Sequence, residues 1–284
     1  MIRLVTDSTS YIPAALIKQL HISTVPLKVQ FGRESYAEFT GLSSQDFVSK
    51  LTASKIFPTT SQPTGREFLA VYHNILANQP ETEILTITVS SKLSGTFNAA
   101  LTAARELSTV PITVFDSLSA ALGAGVMVIT AAELAAQDRS MADILARLNQ
   151  MRRELSLVLM VDSLEFLRRS GRLGAAAAWL GALLQTKPIL TINQGQIEPL
   201  VQVRTKQKAM HRLVAELESR LAAPGQPVLA GVMHLAAQAD MTTLTELMQA
   251  HFNITRLFTA EFGPVIGTHL GPGALGIGLC PEAV

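Results

Sequence analysis

Short apolar runs alternate with amphipathic segments through the first half of the chain. Residues 2–5, 84–89 and 112–115 are rich in β-branched and aliphatic side chains, a pattern typical of buried strands. The intervening segments with helical spacing are 11–20, 65–78, 93–107, 118–136 and 141–155. Strands that alternate with helices in this way predict a parallel sheet covered by helices, so the first half reads as a Rossmann-like α/β domain.

The second half mixes hairpins with helices. A strand is predicted from residue 156, and PILTINQGQIEPLVQV reads as two strands around a glycine turn. Further strands are predicted at 228–234 and 254–262, and further helices at 164–169, 175–184, 205–221 and 241–251. This half therefore predicts a second α/β domain with mixed or antiparallel pairing. We expect the domains to span 1–155, with a small insertion around 22–62, and 156–284.

Two segments without charged residues bear on whether the apolar residues cross a membrane or lie inside a folded core. Hydrophobic residues make up 48% of the 284 residues and charged ones 16%, enough for a large core. Residues 117–132 carry no charged side chain, but they are shorter than the roughly 20 apolar residues that span a bilayer. Residues 173–186 have the same small, charge-free character. Both segments predict buried helices that line either the core or an apolar ligand.

Charge and cysteine content exclude several classes of function. The net charge of +1 offers no general attraction for nucleic acid. The single cysteine, Cys280, rules out an intrachain disulfide and a multi-cysteine metal site. The segment MIRLVTDSTS enters a strand pattern at once and lacks signal-peptide design, so a cytoplasmic location is expected.

The nucleotide and metal motifs that could indicate a cofactor are absent or out of context. GPGALG at 271–276 matches GxGxxG, yet the eight residues after it cannot supply the helix and acid of a dinucleotide site. The chain contains no GxxxxGK[ST], GxSxG or HExxH. We therefore expect no cofactor and no metal.

Four clusters of small polar residues follow or flank predicted strands in the first half. They lie at 6–10, 59–63, 90–96 and 116–117. Loops at the carboxyl ends of parallel strands converge on a ligand crevice, and helix N-termini there attract anions. Each cluster taken alone is explained by helix capping. Four clusters in one half favour a shared anion site.

The sequence leaves open the roles of Ser94 with His269 and of the basic clusters. Ser94 could be a nucleophile with His269 as its base, because Asp7 or Asp116 supplies the residue type of an orienting acid. His269 is framed by glycines in GTHLG, which permits close backbone approach to a ligand. Basic residues cluster at 168–172 and 204–208, either as solvated faces or as a site for phosphate or a partner.

Several motifs in order resemble the DegV family of fatty-acid-binding proteins, which includes the lipid-carrying subunit of bacterial fatty acid kinase. These motifs are VTDSTSYIP, TTSQPT, SSKLSGTFNAA, VDSLEFLRRSGRLG, VRTKQKA and THLGPGALGIG, and they extend over essentially the whole chain. The arginine pair before Ser170 and the residue Thr64 depart from the usual family pattern.

The resemblance implies a long-chain fatty acid in a buried tunnel between two domains. An acid of about 16 to 18 carbons suits such a tunnel, since each buried CH₂ contributes about 0.8 kcal/mol. A separate ATP-dependent kinase subunit would phosphorylate the presented carboxylate, so this chain is not itself an enzyme. Transient contact with a membrane surface is compatible with that role. The ligand-binding residues implied are Thr60, Ser61, Ser94, Gly95, Thr96, Arg204 and His269.

Overall fold

The computed structural model describes residues 1–179 and 186–282, which form thirteen strands and ten α-helices. The strands are β1 (Ile2–Asp7), β2 (Ser23–Val25), β3 (Lys28–Phe31), β4 (Glu34–Ala37), β5 (Thr59–Ser61), β6 (Glu83–Thr88), β7 (Ile112–Asp116), β8 (Ser156–Met160), β9 (Lys187–Asn193), β10 (Gln196–Val203), β11 (Val228–His234), β12 (Ile254–Glu261) and β13 (Leu275–Pro281). The helices are α1 (Ala14–Gln19), α2 (Ser44–Ala53), α3 (Gly65–Asn78), α4 (Thr96–Glu106), α5 (Leu122–Ala136), α6 (Met141–Glu154), α7 (Glu165–Arg169), α8 (Lys206–Glu218), α9 (Gln238–His251) and α10 (Pro264–Leu270).

A four-stranded parallel sheet organises the first half of the chain. Its strand order is β2-β1-β6-β7, and every pair in it is parallel. Helices α3 and α4 cover one face through a core that includes Phe68, Tyr72 and Ala103. The sharp start of α3 is explained by a capping box, in which Thr64 and Glu67 satisfy each other's main-chain N–H groups. The prediction of a Rossmann-like parallel sheet is confirmed.

A small antiparallel sheet lies within the segment predicted as an insertion. Its order is β4-β3-β5, and β5 pairs with β3 so that Thr60 lies opposite Val29. Strand β2, also inside the predicted range 22–62, belongs to the parallel sheet instead. The small sheet therefore carries Thr60 and Ser61 as part of a regular strand.

A six-stranded mixed sheet organises the second half. The order is β10-β9-β8-β13-β11-β12, with β11 and β12 parallel and the other pairs antiparallel. Strand β11 is buried along its whole length, as its apolar composition predicts for a central strand. Helices α8 and α9 cover the outer face. The expectation of mixed or antiparallel pairing is thus confirmed, while the boundary between 155 and 156 stays a prediction.

Helix α5 explains the first charge-free segment. It contacts β1 and β6 of the parallel sheet as well as β11 and β13 of the mixed sheet. Ten of its fifteen residues are buried. A helix buried on all sides must be apolar all round, and small residues let the two sheets approach it closely. No described helix combines the length and apolar character needed to cross a membrane.

The structure corrects two local expectations and adds one helix that the sequence patterns do not predict. Helix α1 begins at Ala14, because Asp7 caps a 3₁₀ turn at Ser8–Ser10 and Tyr11 adopts a left-handed conformation. The glycine-rich tail forms α10 before β13, with Pro264 in the first turn. Of the predicted helix 175–184, the described part is a 3₁₀ segment, Gly174–Trp179, and the remainder lies outside the described residues.

Candidate functional site

A cavity of about 380 Å³ lies where loops at the carboxyl ends of the parallel strands meet the inner face of the mixed sheet. This volume falls within the range of about 300–1,000 Å³ found for small-molecule sites. Thr9, Val89 and Ala121 line it from loops that follow β1, β6 and β7. Strands β8, β11 and β13 supply most of the opposite wall, and α10 closes one side. The predicted tunnel stays a prediction, and the observed feature is this cavity.

Most polar lining residues belong to one group that is connected by hydrogen bonds and packing. Thr60 Oγ1 lies 3.0 Å from His269 Nε2, which joins β5 to α10. Arg172 Nε donates to the main-chain oxygen of Leu93 at 3.3 Å, directly beside Ser94. Gln62 packs against the Cα of Gly95, so that a side chain at Gly95 would overlap it. Thr60, Gln62, Ser94, Arg172 and His269 thus form one polar end.

Ser94 is held by its own neighbours in the turn before α4. Its Oγ lies 2.8 Å from Thr96 Oγ1 and accepts the main-chain N–H of Thr96 at 3.4 Å. Thr96 is fully buried and does not line the cavity, whereas Ser94 does. When Thr96 donates to Ser94, the Ser94 hydroxyl proton is free to point into the cavity. The partial positive charge at the start of α4 favours an anion there.

Burial keeps His269 neutral. Burial, together with the smaller effect of the positive charge of Arg172, lowers the pKa of the imidazole to about 3. Nδ1 is buried without a hydrogen-bond partner among the described residues. A neutral ring with Nδ1 unpartnered can donate one hydrogen bond and accept one, according to its tautomer. Arg172 is the permanently charged side chain among the described lining residues.

The rest of the cavity lining is mostly apolar. Gly231 and Gly278 are partners in the register of β11 and β13, and both line the cavity. A Cβ at Gly231 would lie 3.0 Å from Leu122 Cδ1, and one at Gly278 would lie 2.5 Å from Leu157 Cδ2. The glycines therefore let the side chains of Leu122 and Leu157 pack closely against these strands. The lining as a whole suits an extended apolar molecule with one anionic end.

Three of the four hydroxyl clusters reach the cavity. They contribute Thr9, Ser94 and the set Thr60, Ser61 and Gln62. The fourth has a supporting role, because Asp116 Oδ1 accepts the main-chain N–H groups of Ser91 and Leu118. Ser90 also holds a loop, donating to the main-chain oxygen of Gly195 at 2.8 Å. Capping thus explains part of the pattern and a shared site explains the rest.

The predicted binding residues divide into three groups. Thr60, Ser61, Ser94 and His269 line the cavity, and Gly95 and Thr96 adjoin it by packing and hydrogen bonding. Arg204 is exposed between β10 and α8 and is not among the lining residues. Arg172, from the other basic cluster, reaches the cavity instead. The tertiary structure therefore decides which of the two basic clusters, 168–172 or 204–208, contributes a side chain to the cavity.

The arrangement does not assemble a nucleophilic triad. His269 Nε2 is hydrogen-bonded to Thr60 rather than to Ser94, and Asp7 is occupied by Thr9 and the main-chain N–H of Val89. Within residues 1–179 and 186–282, no group of three or more His, Cys, Asp or Glu side chains is placed to hold a metal ion.

Comparison with known proteins gives a consistent result. A family model described as "Uncharacterised protein, DegV family" matches residues 1–282. Protein DegV of Bacillus subtilis is 36% identical over 280 residues, which are 98% of this chain and 99% of that protein.

Two solved structures are similar over the whole length. One, described as fatty acid binding of a DegV family protein from Thermus thermophilus, has a TM-score of 0.94 at 33% identity and covers 99% of each chain. The other, DegV from Bacillus subtilis, described as a fatty acid binding protein, has a TM-score of 0.87 at 36% identity and also covers 99% of each chain. With the family model matching almost every residue, the chain belongs to the DegV family.

Proposed function

We propose that the protein binds a long-chain fatty acid in the cavity. The observation that carries this proposal is the composition of the lining, in which hydroxyls, a neutral imidazole and one guanidinium form one connected group and most other lining residues are aliphatic side chains or glycines. The fatty acid binding described for the relatives from Thermus thermophilus and Bacillus subtilis supports it.

The polar end fits a carboxylate that must leave water. An unpaired buried carboxylate is costly, and hydrogen bonds from Ser94 and Thr60, with the charge of Arg172 nearby, offset that cost. The neutral His269 contributes an N–H in one tautomer. At the other end, each buried CH₂ contributes about 0.8 kcal/mol, so the acyl chain supplies most of the affinity.

We further propose that a separate ATP-dependent kinase phosphorylates the bound acid, as the family resemblance implies. The chain has no P-loop motif, and the hydrogen bond of His269 to Thr60 leaves no activated nucleophile at the polar end of the cavity. A serine hydrolase using Ser94 and His269 is the alternative, but the hydrogen bond of His269 to Thr60 and the lack of an orienting carboxylate among the described neighbours do not favour it.

Lipid analysis tests the proposal. The protein is purified under non-denaturing conditions, extracted with organic solvent and analysed by mass spectrometry, with the expected result one acyl chain per protein. A matched pair of variants gives the control: Ile192→Trp fills the cavity lining, and Leu200→Trp places the same ring on β10 outside it. Acyl chains retained equally by both variants, or absent from the unmodified protein even after incubation with fatty acid, would contradict the proposal.

A kinase and ester assay separates the two candidate functions. Addition of a DegV-associated kinase with ATP should convert the bound acid to acyl phosphate, whereas this protein alone should not hydrolyse esters. Ester turnover that disappears in Ser94→Ala would favour the hydrolase instead.

A further inference from the structure

A buried carboxylate beside the cavity joins three separate segments of the chain. Glu38 follows β4 and is 1% exposed. Its Oε2 accepts the hydroxyl proton of Ser8 at 2.6 Å. Its Oε1 accepts the phenol proton of Tyr11 at 2.9 Å and the main-chain N–H of Val265 at 3.0 Å. The small sheet, the turn after β1 and the start of α10 therefore meet at one side chain.

The hydrogen-bond directions around Glu38 fit an ionised carboxylate. Ser8 Oγ accepts the main-chain N–H of Leu27 at 3.0 Å, and Tyr11 Oη accepts that of Ile266 at 3.4 Å. Each hydroxyl is thus an acceptor for the main chain and has its own proton available for Glu38. Three donors satisfy a carboxylate, whereas a protonated carboxyl adds a fourth proton and leaves one donor without an acceptor.

The segments held by Glu38 form part of the cavity wall. Leu27, Val265 and Ile266 line the cavity, as does Thr9 in the turn between Ser8 and Tyr11. His269 lies one helical turn beyond Val265 on α10 and is hydrogen-bonded to Thr60. A shift at the start of α10 would therefore reach the polar end directly.

Burial brings the titration of Glu38 to neutral pH. It raises the pKa of the carboxyl from its ordinary value to about 7, the hydrogen bonds from Ser8, Val265 and Tyr11 oppose that rise, and the negative charge of Asp7 adds to it. Tyr11 stays protonated, since burial raises its pKa well above the ordinary value, and His269 stays neutral with a pKa of about 3.

The other charged groups on these elements are already paired. In the small sheet, Lys28 forms an ion pair with Glu67 at 2.8 Å. Glu34 of the same sheet forms an ion pair with Lys50 at 2.7 Å. Near the far end of α10, Arg172 hydrogen-bonds to main-chain oxygens. Asp7 accepts the main-chain N–H groups of Thr9 and Val89 and the hydroxyl proton of Thr9, which suits an ionised carboxylate. Near neutrality, the change of charge in this cluster therefore falls on Glu38.

We propose that Glu38 is a positioning residue for the ligand site: its ionised carboxylate fixes the start of α10 against Ser8 and Tyr11, and its protonation weakens binding of the carboxylate ligand. The inference rests on the proposed function, because it concerns the affinity of that same cavity. As the pH falls through about 7, the ionised fraction decreases, and the affinity decreases with it.

Binding measured against pH tests the inference. A fluorescent long-chain fatty acid is titrated into the unmodified protein and into Glu38→Gln between about pH 5.5 and 8.5. The ratio of the two dissociation constants cancels ionisation of the ligand itself. At high pH we expect Glu38→Gln to bind the fatty acid about tenfold more weakly than the unmodified protein, because the substitution removes the charge-assisted hydrogen bonds of the ionised carboxylate. At low pH the two proteins should bind equally, because Glu38 is then protonated and these hydrogen bonds are absent from both. Glu34→Gln, an exposed carboxylate of the same sheet, is the matched control and should show a constant ratio near one.

A second measurement separates positioning from stability and from failure of the proposed function. In the protein without ligand, the Val265 amide resonance should titrate with a midpoint near pH 7, and Tyr11→Phe should move that midpoint upward because the carboxylate loses a donor. A dissociation-constant ratio for Glu38→Gln that does not change with pH, or a Val265 resonance without a titration step, would overturn the inference. Absence of fatty acid binding at every pH would instead contradict the proposed function and, with it, the role of Glu38 in binding.

Discussion

Removal of the Ser94 hydroxyl should weaken binding of the fatty acid strongly. A hydrogen bond to a charged group contributes about 1.5–3 kcal/mol, which corresponds to about a 10- to 150-fold increase in the dissociation constant of Ser94→Ala. The same change leaves Thr96 Oγ1 without its 2.8 Å partner, so the free energy of unfolding should also fall, by about 1 kcal/mol. Both effects are measurable, by equilibrium titration with a fluorescent fatty acid and by urea unfolding of the protein without ligand.

The matched control for Ser94→Ala is Thr96→Val. Valine keeps the shape of the buried threonine but breaks the same internal hydrogen bond, while the Ser94 hydroxyl stays at the cavity. Thr96→Val should therefore lose similar stability and less than about threefold in affinity. Equal losses of affinity in the two variants would mean that the turn matters and the hydroxyl does not. An unchanged dissociation constant in Ser94→Ala would refute the assignment of Ser94 to the carboxylate.

Three further substitutions address the remaining parts of the site. Thr60→Val keeps the shape of the side chain but removes the hydrogen-bond partner of His269 Nε2, and it should raise the dissociation constant of the fatty acid about tenfold. An unchanged dissociation constant would exclude Thr60 from the head-group site. Arg172→Gln should raise the pKa of His269 above its value of about 3, as read from the imidazole resonances in an NMR titration, and an unmoved pKa would show that the guanidinium does not act on the ring. Gly231→Ala places a Cβ 3.0 Å from Leu122 Cδ1 and should weaken long acids more than short ones, by about 0.8 kcal/mol per displaced CH₂, while equal weakening for all lengths would place the chain elsewhere.

The regular elements were predictable because their patterns are local. The range 65–78 was predicted as a helix and is α3, whose first residue follows from the capping box at Thr64 and Glu67. The strand at 228–234 was likewise predicted to the residue, since a continuous apolar run of that length suits a central strand. Local signals were weaker in the tail, where glycines conceal the seven residues of α10 that the prediction missed.

The sequence predicted the types of residue that form the site, but only some of the individual residues that line the cavity. Hydroxyl clusters after strands indicated an anion site, and Thr60, Ser61, Ser94 and His269 do line the cavity. Ser90 and Ser91 instead hold the loop after β6, through hydrogen bonds to the main-chain oxygen of Gly195 and to Asp116. Two basic clusters of similar composition could not be separated, because a sequence shows charge but not direction.

The sequence by itself determined the class of fold, the charge-free central helix and the hydroxyl clusters that supply anion donors. Periodicity and capping act over a few residues, so they can be read along the chain. The tertiary structure alone decided that Arg172 rather than Arg204 reaches the cavity, that Thr60 meets His269 across 209 positions, and that Glu38 joins three segments. These contacts depend on how two sheets pack around α5, and packing is a property of the whole chain rather than of any local pattern.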